Sequence, residues 1–410
     1  MSLCFERHKE IYKFDKIIFS GVCSMPLQVW LLLICVATVG SNSLVLSPIL
    51  SDVAHAFGSS AAEVARAAAA YGGATALSAL VFGRLTDILG GRKALTIGLA
   101  ALTAGMALCA VSWRWEILAL GQGLAGLGGG ILLPGAYAMA AKVAPEGEEA
   151  RVMGRVLTGW SVSLVAGVPS SALITDLLGW QSVFILLGAI AFLVLLCCQT
   201  LPRNGGGVVQ ERGLALFSLM RVPMVLPLLF ICLAFMSSFY GVYAFLGDHM
   251  RVTLGLSASQ AGLIVLVYGA GFGVAGVGDR LIDRYGARRL FPVILAVLSL
   301  VYVGMLPAMT SLVAMLLVSF LWGFVNHFCV NILILLLSRA GGNRRAALLG
   351  VNSAVTYLGA MIGATLFGEV YTAYSFGALA IMASVFLVAA AFVAAFVGLR
   401  IPGANSSVRT

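Results

Sequence analysis

Apolar residues run through this chain in long continuous blocks, broken at intervals by short clusters of charge, glycine and proline. Twelve such blocks begin near residues 27, 62, 94, 116, 152, 180, 224, 258, 290, 311, 347 and 376. A helix of about 20 residues, rising about 1.5 Å per residue, crosses a hydrocarbon core of roughly 30 Å. The blocks lack the apolar and polar alternation of a membrane β-strand, so twelve spanning helices are predicted. The first block is too long for a cleaved signal peptide and has no small-residue cleavage site. Residues 1–24 are different in kind, carrying seven charges, and are expected to be a tail outside the fold, with Met25-Pro26 as an alternative start.

Composition agrees with the pattern. Hydrophobic residues make up 61% of the 410 and charged residues only 10%, against roughly 25% charged in a soluble domain. The net charge of +9 is not a nucleic-acid footprint, because it is sorted by side rather than gathered on a reading module. Of the 25 Lys and Arg, all but Arg66, Arg114 and Arg251 fall in the tails and alternate loops of one side. The positive-inside rule makes that side cytoplasmic, and an even number of spans puts both termini there. Cys35, Cys109, Cys197, Cys198, Cys232 and Cys329 lie in apolar blocks without repeated spacing and are expected to be small core hydrophobes.

Two charged clusters echo each other. "GRLTDILGGRKAL" occupies 83–95 and "DRLIDRYGARRL" 279–290. Laying Asp87 on Asp283 places Gly90 on Gly286, Arg92 on Arg288 and Lys93 on Arg289, at an offset of 196 residues. Each cluster joins the second and third spans of its own half, which predicts two parallel six-helix bundles, 25–201 and 224–398. A Gly- and Pro-containing linker at 202–223 joins them, and a tail follows from 399 to 410. The glycines suit tight turns between antiparallel helices. An acid near a helix end, ringed by basic groups, can latch one bundle to the other and release as they rock apart. The plainer alternative is a turn that also carries the topology signal.

On these residues the chain resembles the major facilitator superfamily, whose signature loop reads approximately G-x-L-x-D-R-x-G-x-R-R. Gly83, Leu85, Asp87, Gly90, Arg92 and Lys93 match it, with Ile88 at a usually basic position. In the second half Leu281, Asp283, Arg284, Gly286, Arg288 and Arg289 match, and Asp279 replaces the first glycine. "GWSVSLVAGVPSSALITDLLGWQSVF", 159–184, with Gly167, Pro169 and the Gly179-Trp180 corner, resembles the fifth-helix motif of proton-coupled drug and sugar efflux members. "NSAVTYLGAMIGATLFG", 352–368, is similar to the eleventh helix of arabinose-efflux-like and chloramphenicol-efflux-like carriers. The resemblance implies an all-α integral membrane fold of two six-helix bundles related by a parallel pseudo-two-fold. It further implies a monomer in a bacterial inner membrane, with a small-molecule substrate, no cofactor and no nucleic-acid partner.

One apparent motif is rejected on physical grounds. "GQGLAG", 121–126, fits G-x-G-x-x-G, but it lies inside an apolar block, without the strand and the free helix N-terminus that pyrophosphate needs. Gly126 and Gly130 instead share the small-xxx-small spacing of a packing face. Neither H-E-x-x-H nor G-x-S-x-G occurs, and no enzyme chemistry or metal site is expected.

Charge is also missing where the resemblance would place it. Gln122 stands at the position of the fourth-helix arginine of proton-coupled efflux relatives, and Ala125 at that of its glutamine. Asn42 and Ser43 occupy first-helix positions that are often acidic. Every Asp and Glu is assigned to a loop, tail or helix end, with Glu63, Asp176, Asp248 and Glu369 the closest approaches to the membrane. His327 remains as the titratable side chain in mid-span. Histidine changes charge between about pH 5 and 8, which makes it the candidate proton carrier, a structural histidine being the alternative. Asn331 lies on the same helix face.

The first, fourth, seventh and tenth helices surround the cavity in the resembled family. Asn42, Gln122, Tyr240, Tyr243, Asn326, His327 and Asn331 are therefore the expected lining, with Tyr71 of the second helix nearby. Such a cavity is polar, poor in fixed charge and suited to a neutral or amphipathic molecule. Efflux in exchange for protons is the function expected. Uptake or facilitated diffusion of a neutral solute is the alternative, and a non-transporting receptor of the same fold is a third.

Overall fold

The computed structural model describes residues 26–82, 88–202, 222, 224–341 and 345–400. Among these residues are twelve helices long and apolar enough to cross a membrane. The first span is α1 (Leu27–Leu44) continued by α2 (Leu46–Phe57), and the next three are α3 (Ala61–Val81), α4 (Gly91–Ala110) and α5 (Trp115–Val143). The fifth is α6 (Glu149–Val162), a π-helical turn (Ser163–Gly167) and α7 (Val168–Leu178); the sixth is α8 (Gln181–Cys197). In the second half, α9 (Val225–Leu254) precedes α10 (Ala258–Val274), a 3₁₀ turn (Ala275–Gly278) and the short α11 (Arg280–Tyr285). Then come α12 (Ala287–Ala308), α13 (Leu312–Gly341), α14 (Arg345–Ala373) and α15 (Phe376–Arg400). The linker and tails expected from sequence lie almost wholly outside the described residues, as do Gly83 and Asp87.

The duplication shows in local chemistry. Ser60 and Ser257, 197 positions apart, each begin a helix with a reciprocal capping box, to Glu63 and Gln260 respectively. Gly90 and Gly286 both take φ of 82°, in the left-handed region, where they turn the chain into α4 and α12. Inside each half the same close approach recurs. A Cβ on Gly126 would fall 2.4 Å from the Tyr71 carbonyl, and one on Gly323 would fall 2.0 Å from that of Tyr268. Gly130 likewise lies against the Thr75 carbonyl, so Gly126 and Gly130 belong to a helix packing face.

Polarity is sorted as a membrane demands. Large apolar side chains such as Leu120, Leu177 and Phe392 are exposed on the outside, where lipid rather than water receives them. Polar side chains such as Asn42, Gln122 and Asn326 are buried between helices. Five of the six described cysteines are buried; Cys197 departs from the expected core role by being exposed at the end of α8.

The halves meet along three seams: α3 with α14, α7 with α10, and α2 with α9. Two irregularities shape them. Pro48 has no N–H to bond the carbonyl four residues back, and the first span breaks at Val45, between α1 and α2. Pro169 interrupts the fifth span in the same way, beside the π-helical turn.

Candidate functional site

Between the halves lies a pocket whose polar lining is supplied by Ser43, Ser47, Tyr71, Tyr240, Tyr243 and Tyr357, with no charged residue on its wall. Tyr71 of α3 and Tyr357 of α14 meet edge-on across the seam, ring centres 6.1 Å apart. Tyr71 donates its hydroxyl to the Val39 carbonyl at 3.3 Å, whereas the buried Tyr357 hydroxyl has no hydrogen-bond partner among the described residues. Phe239 backs the pocket, meeting Tyr240 edge-on and Tyr243, Tyr268 and Trp322 with tilted rings, centres 5.0–5.6 Å apart. Of the eight side chains expected to line the cavity, Tyr71, Tyr240 and Tyr243 come together here.

The other five have different surroundings. Asn42 and Gln122 are 3% and 0% exposed and bond each other reciprocally, Nδ2 to Oε1 at 3.1 Å and Nε2 to Oδ1 at 3.2 Å. Two neutral amides thus satisfy each other where a buried charge would need a counter-charge. Asn326 donates to the Tyr268 hydroxyl at 3.0 Å. His327 and Asn331 lie further toward the charged-loop end, with Asp279.

At the end opposite the charged loops the halves are tied together. The Leu44 carbonyl, left without the Pro48 N–H, accepts the Tyr243 hydroxyl from the other half at 3.3 Å, and Ser47 donates back to the Tyr243 carbonyl. Arg251 makes a bidentate ion pair with Asp52, its Nη2 2.8 Å from Oδ1, and also reaches the Pro48 carbonyl. Asp248, only 6% exposed, accepts hydroxyls from Ser51 at 2.6 Å and Tyr371 at 2.8 Å. Asp176, at the end of α7, accepts the first free N–H groups of α10 from Ala258 and Ser259, at 3.0 and 2.8 Å, where the helix dipole favours a carboxylate. Arg66 and Glu369 add an exposed pair at 3.2 Å. Asp248 lies in the last two turns of α9, as expected of a helix end, and there it is buried and bonded across the halves.

The charged-loop end is different. Arg92 bonds the Leu201 carbonyl at 3.2 Å and Gln199 at 2.7 Å, and Arg288 reaches the Met224 sulfur at 3.7 Å, each inside its own half. Arg284 lies over the Tyr285 ring. No ionic contact between the halves occurs at this end among the described residues. Lys93, Asp283 and Gly286 lie in or beside the same turns. The fifth-span motif sits on a seam: a Cβ on Gly167 would fall 2.0 Å from Ser41 Oγ of α1, and Pro169 faces Gly262 of α10.

A seam-lined pocket between paired six-helix halves, closed at one end, is the architecture of an alternating-access carrier. The family model of the Major Facilitator Superfamily matches residues 31–364. The chain belongs to this superfamily. Its similarity extends to an uncharacterized MFS-type transporter, YwfA, of Bacillus subtilis (strain 168), 28% identical over 354 residues, or 85% of this chain and 86% of that one. This MFS member is therefore a multi-pass membrane transporter and not an enzyme.

Several residues of this MFS site were not found from sequence. Tyr268 was within reach, since it is the repeat-mate of Tyr71, 197 positions on. Tyr357, Tyr371, Asp52 and Arg251 carry no such signal, because their partners lie on helices far away in the chain. Asp279 stood out as a departure from the loop motif, but nothing in the sequence named its partner.

Proposed function

We propose that this MFS protein expels an uncharged or amphipathic small molecule across a bacterial inner membrane in exchange for protons. In this reading both termini are cytoplasmic, the charged-loop end faces the cytoplasm, and the structure is the state sealed on the outer side. The observation that carries the substrate class is the pocket wall of tyrosine and serine without a charged residue. An anionic substrate would need an Arg or Lys there, and a dication a carboxylate. The fifth-span motif on the α7–α10 seam supports the antiport branch.

A thermal-shift screen of purified protein across drugs, sugars and metabolites, followed by flux in proteoliposomes with and without a pH gradient, tests the reading. Flux of a bound compound accelerated by inward proton movement is expected. The Asn42–Gln122 pair favours a second reading, facilitated diffusion of a neutral solute, because it lacks the charge that proton-coupled relatives carry there. Gradient-independent flux would select it.

A further inference from the structure

The charged-loop end carries a polar cluster that the duplicated framework does not require. Asp279 Oδ1 lies 3.0 Å from His327 Nε2 and 3.0 Å from Asn331 Nδ2, and the two nitrogens are 2.9 Å apart. At an offset of 196 Asp279 corresponds to Gly83. At the 197-residue offset of the packed spans His327 and Asn331 correspond to Gly130 and Pro134. At the described positions Gly130 and Pro134 the first half packs its equivalent helices with residues that offer no side-chain hydrogen bond, so such a cluster is not needed to hold a bundle together.

We propose that Asp279, His327 and Asn331 form the proton-binding site of this carrier, opening to the charged-loop end. The proposal rests on the proton-coupled reading above. Asn331 Nδ2 is a donor, so it is satisfied by the carboxylate. A carboxylate 3.0 Å from Nε2 can only accept, so the neutral ring that pairs with it carries its proton on Nε2, which leaves the Nδ1 lone pair as the place where a proton enters. Nδ1 is buried without a hydrogen-bond partner among the described residues, and the ring is wedged edge-on by Phe272 and Phe328, at 5.0 and 5.7 Å. A proton from water on Nδ1 turns a cluster of net charge −1 into a neutral imidazolium–carboxylate pair, and its return to water restores the charge. A neutral pair enters a dry interior far more readily than a lone carboxylate. The unprotonated cluster therefore holds the halves apart at this end, where Asp279 is 48% exposed, and the protonated one lets them close. Nδ1–H also needs an acceptor that the present arrangement lacks, so proton uptake demands movement.

Among the described residues Asp279 is the one titratable group bonded to His327. On the elements packed against α13, the Tyr268 phenol is held by Asn326 and that of Tyr302 by Trp322. Spans α9, α12 and α14 carry charge only toward their ends: Asp248, His249 and Arg251; Arg288 and Arg289; Arg345 and Glu369.

Spin labels on Glu146→Cys and Arg339→Cys, one in each half at the charged-loop end, report the opening. Cys4, Cys23 and Cys197 are replaced by serine, and the full chain is placed in liposomes. The inter-label distance is expected to shorten from pH 8.5 to about pH 5.5, and Asp279→Asn and His327→Gln are expected to abolish the response. Asp279→Asn is decisive, being isosteric at a half-exposed position. An unresponsive parent protein overturns the proposal, as does either variant that keeps the response. Flux that ignores a pH gradient while the distance still follows pH refutes the antiport reading and leaves the proton site standing. Gradient-driven flux that survives Asp279→Asn refutes the site alone.

Discussion

Arg251 grips Asp52 across the line between the two halves, joining the end of the first span to the end of the seventh, its repeat-mate. A two-fold brings equivalent helices face to face, so these ends are where a rocking motion must separate the bundles. The pair is partly sheltered, with side chains 13% and 29% exposed. That places its worth between a solvated surface pair and a dry one, about 1–3 kcal/mol. Arg251→Gln is expected to loosen this end, raising hydrogen exchange in 46–57 and 245–254 by about tenfold or more. Unchanged protection would show that the seal rests on the Tyr243 and Asp248 bonds instead.

The Asn42–Gln122 pair predicts a non-additive cost. Leucine at Asn42 alone strands the Gln122 amide in a position with no exposure and should cost about 1–3 kcal/mol. Leucine at both positions removes the stranded group, so the double variant should be more stable than the sum of the single losses allows. Thermal unfolding in nanodiscs gives the cycle; strict additivity would mean the amides do not depend on each other.

Gly126 and Gly123 sit on one helix with opposite surroundings. Alanine at 126 would drive a methyl against the Tyr71 carbonyl, 2.4 Å away, and a backbone atom cannot yield as a flexible side chain does. A loss of about 1–3 kcal/mol is expected. Alanine at 123 meets nothing within 4 Å and should be neutral or slightly stabilising. Equal melting temperatures for the two variants would contradict the packing.

Tyr357→Phe removes a buried hydroxyl that has no hydrogen-bond partner among the described residues, so stability should hold or rise. If that hydroxyl meets the transported molecule, the variant weakens binding by about threefold to tenfold, the worth of one neutral hydrogen bond. Titration of a compound found in the thermal-shift screen gives the answer, and unaltered affinity removes Tyr357 from the site.

Asp87→Asn tests the loop latch, whose first-half acid lies outside the described residues. The structure shows Arg92 and Arg288 bonded inside their own halves, as a disengaged latch would be. Exchange in proteoliposomes should slow while ligand affinity is retained; an unaltered exchange rate would leave the loop a turn and a topology signal.

By itself the sequence determined the twelve spans, the duplication and the sorting of charge to one side, because each depends on residues close together in the chain. Hydropathy is a property of about 20 consecutive side chains, and the Ser60 and Ser257 caps or the Gly90 and Gly286 turns are settled within a few residues. It also singled out His327, Asn331 and the odd Asp279. Only the tertiary structure decided that these three meet, that Asn42 faces Gln122 rather than open space, and that buried Asp248 ties α9 to α2 and α14. Each of those bonds depends on the rotation, tilt and depth of two helices set 48 to 197 residues apart. Those variables are fixed by glycine contacts and proline breaks acting across the whole bundle, and no periodicity along a single helix contains them.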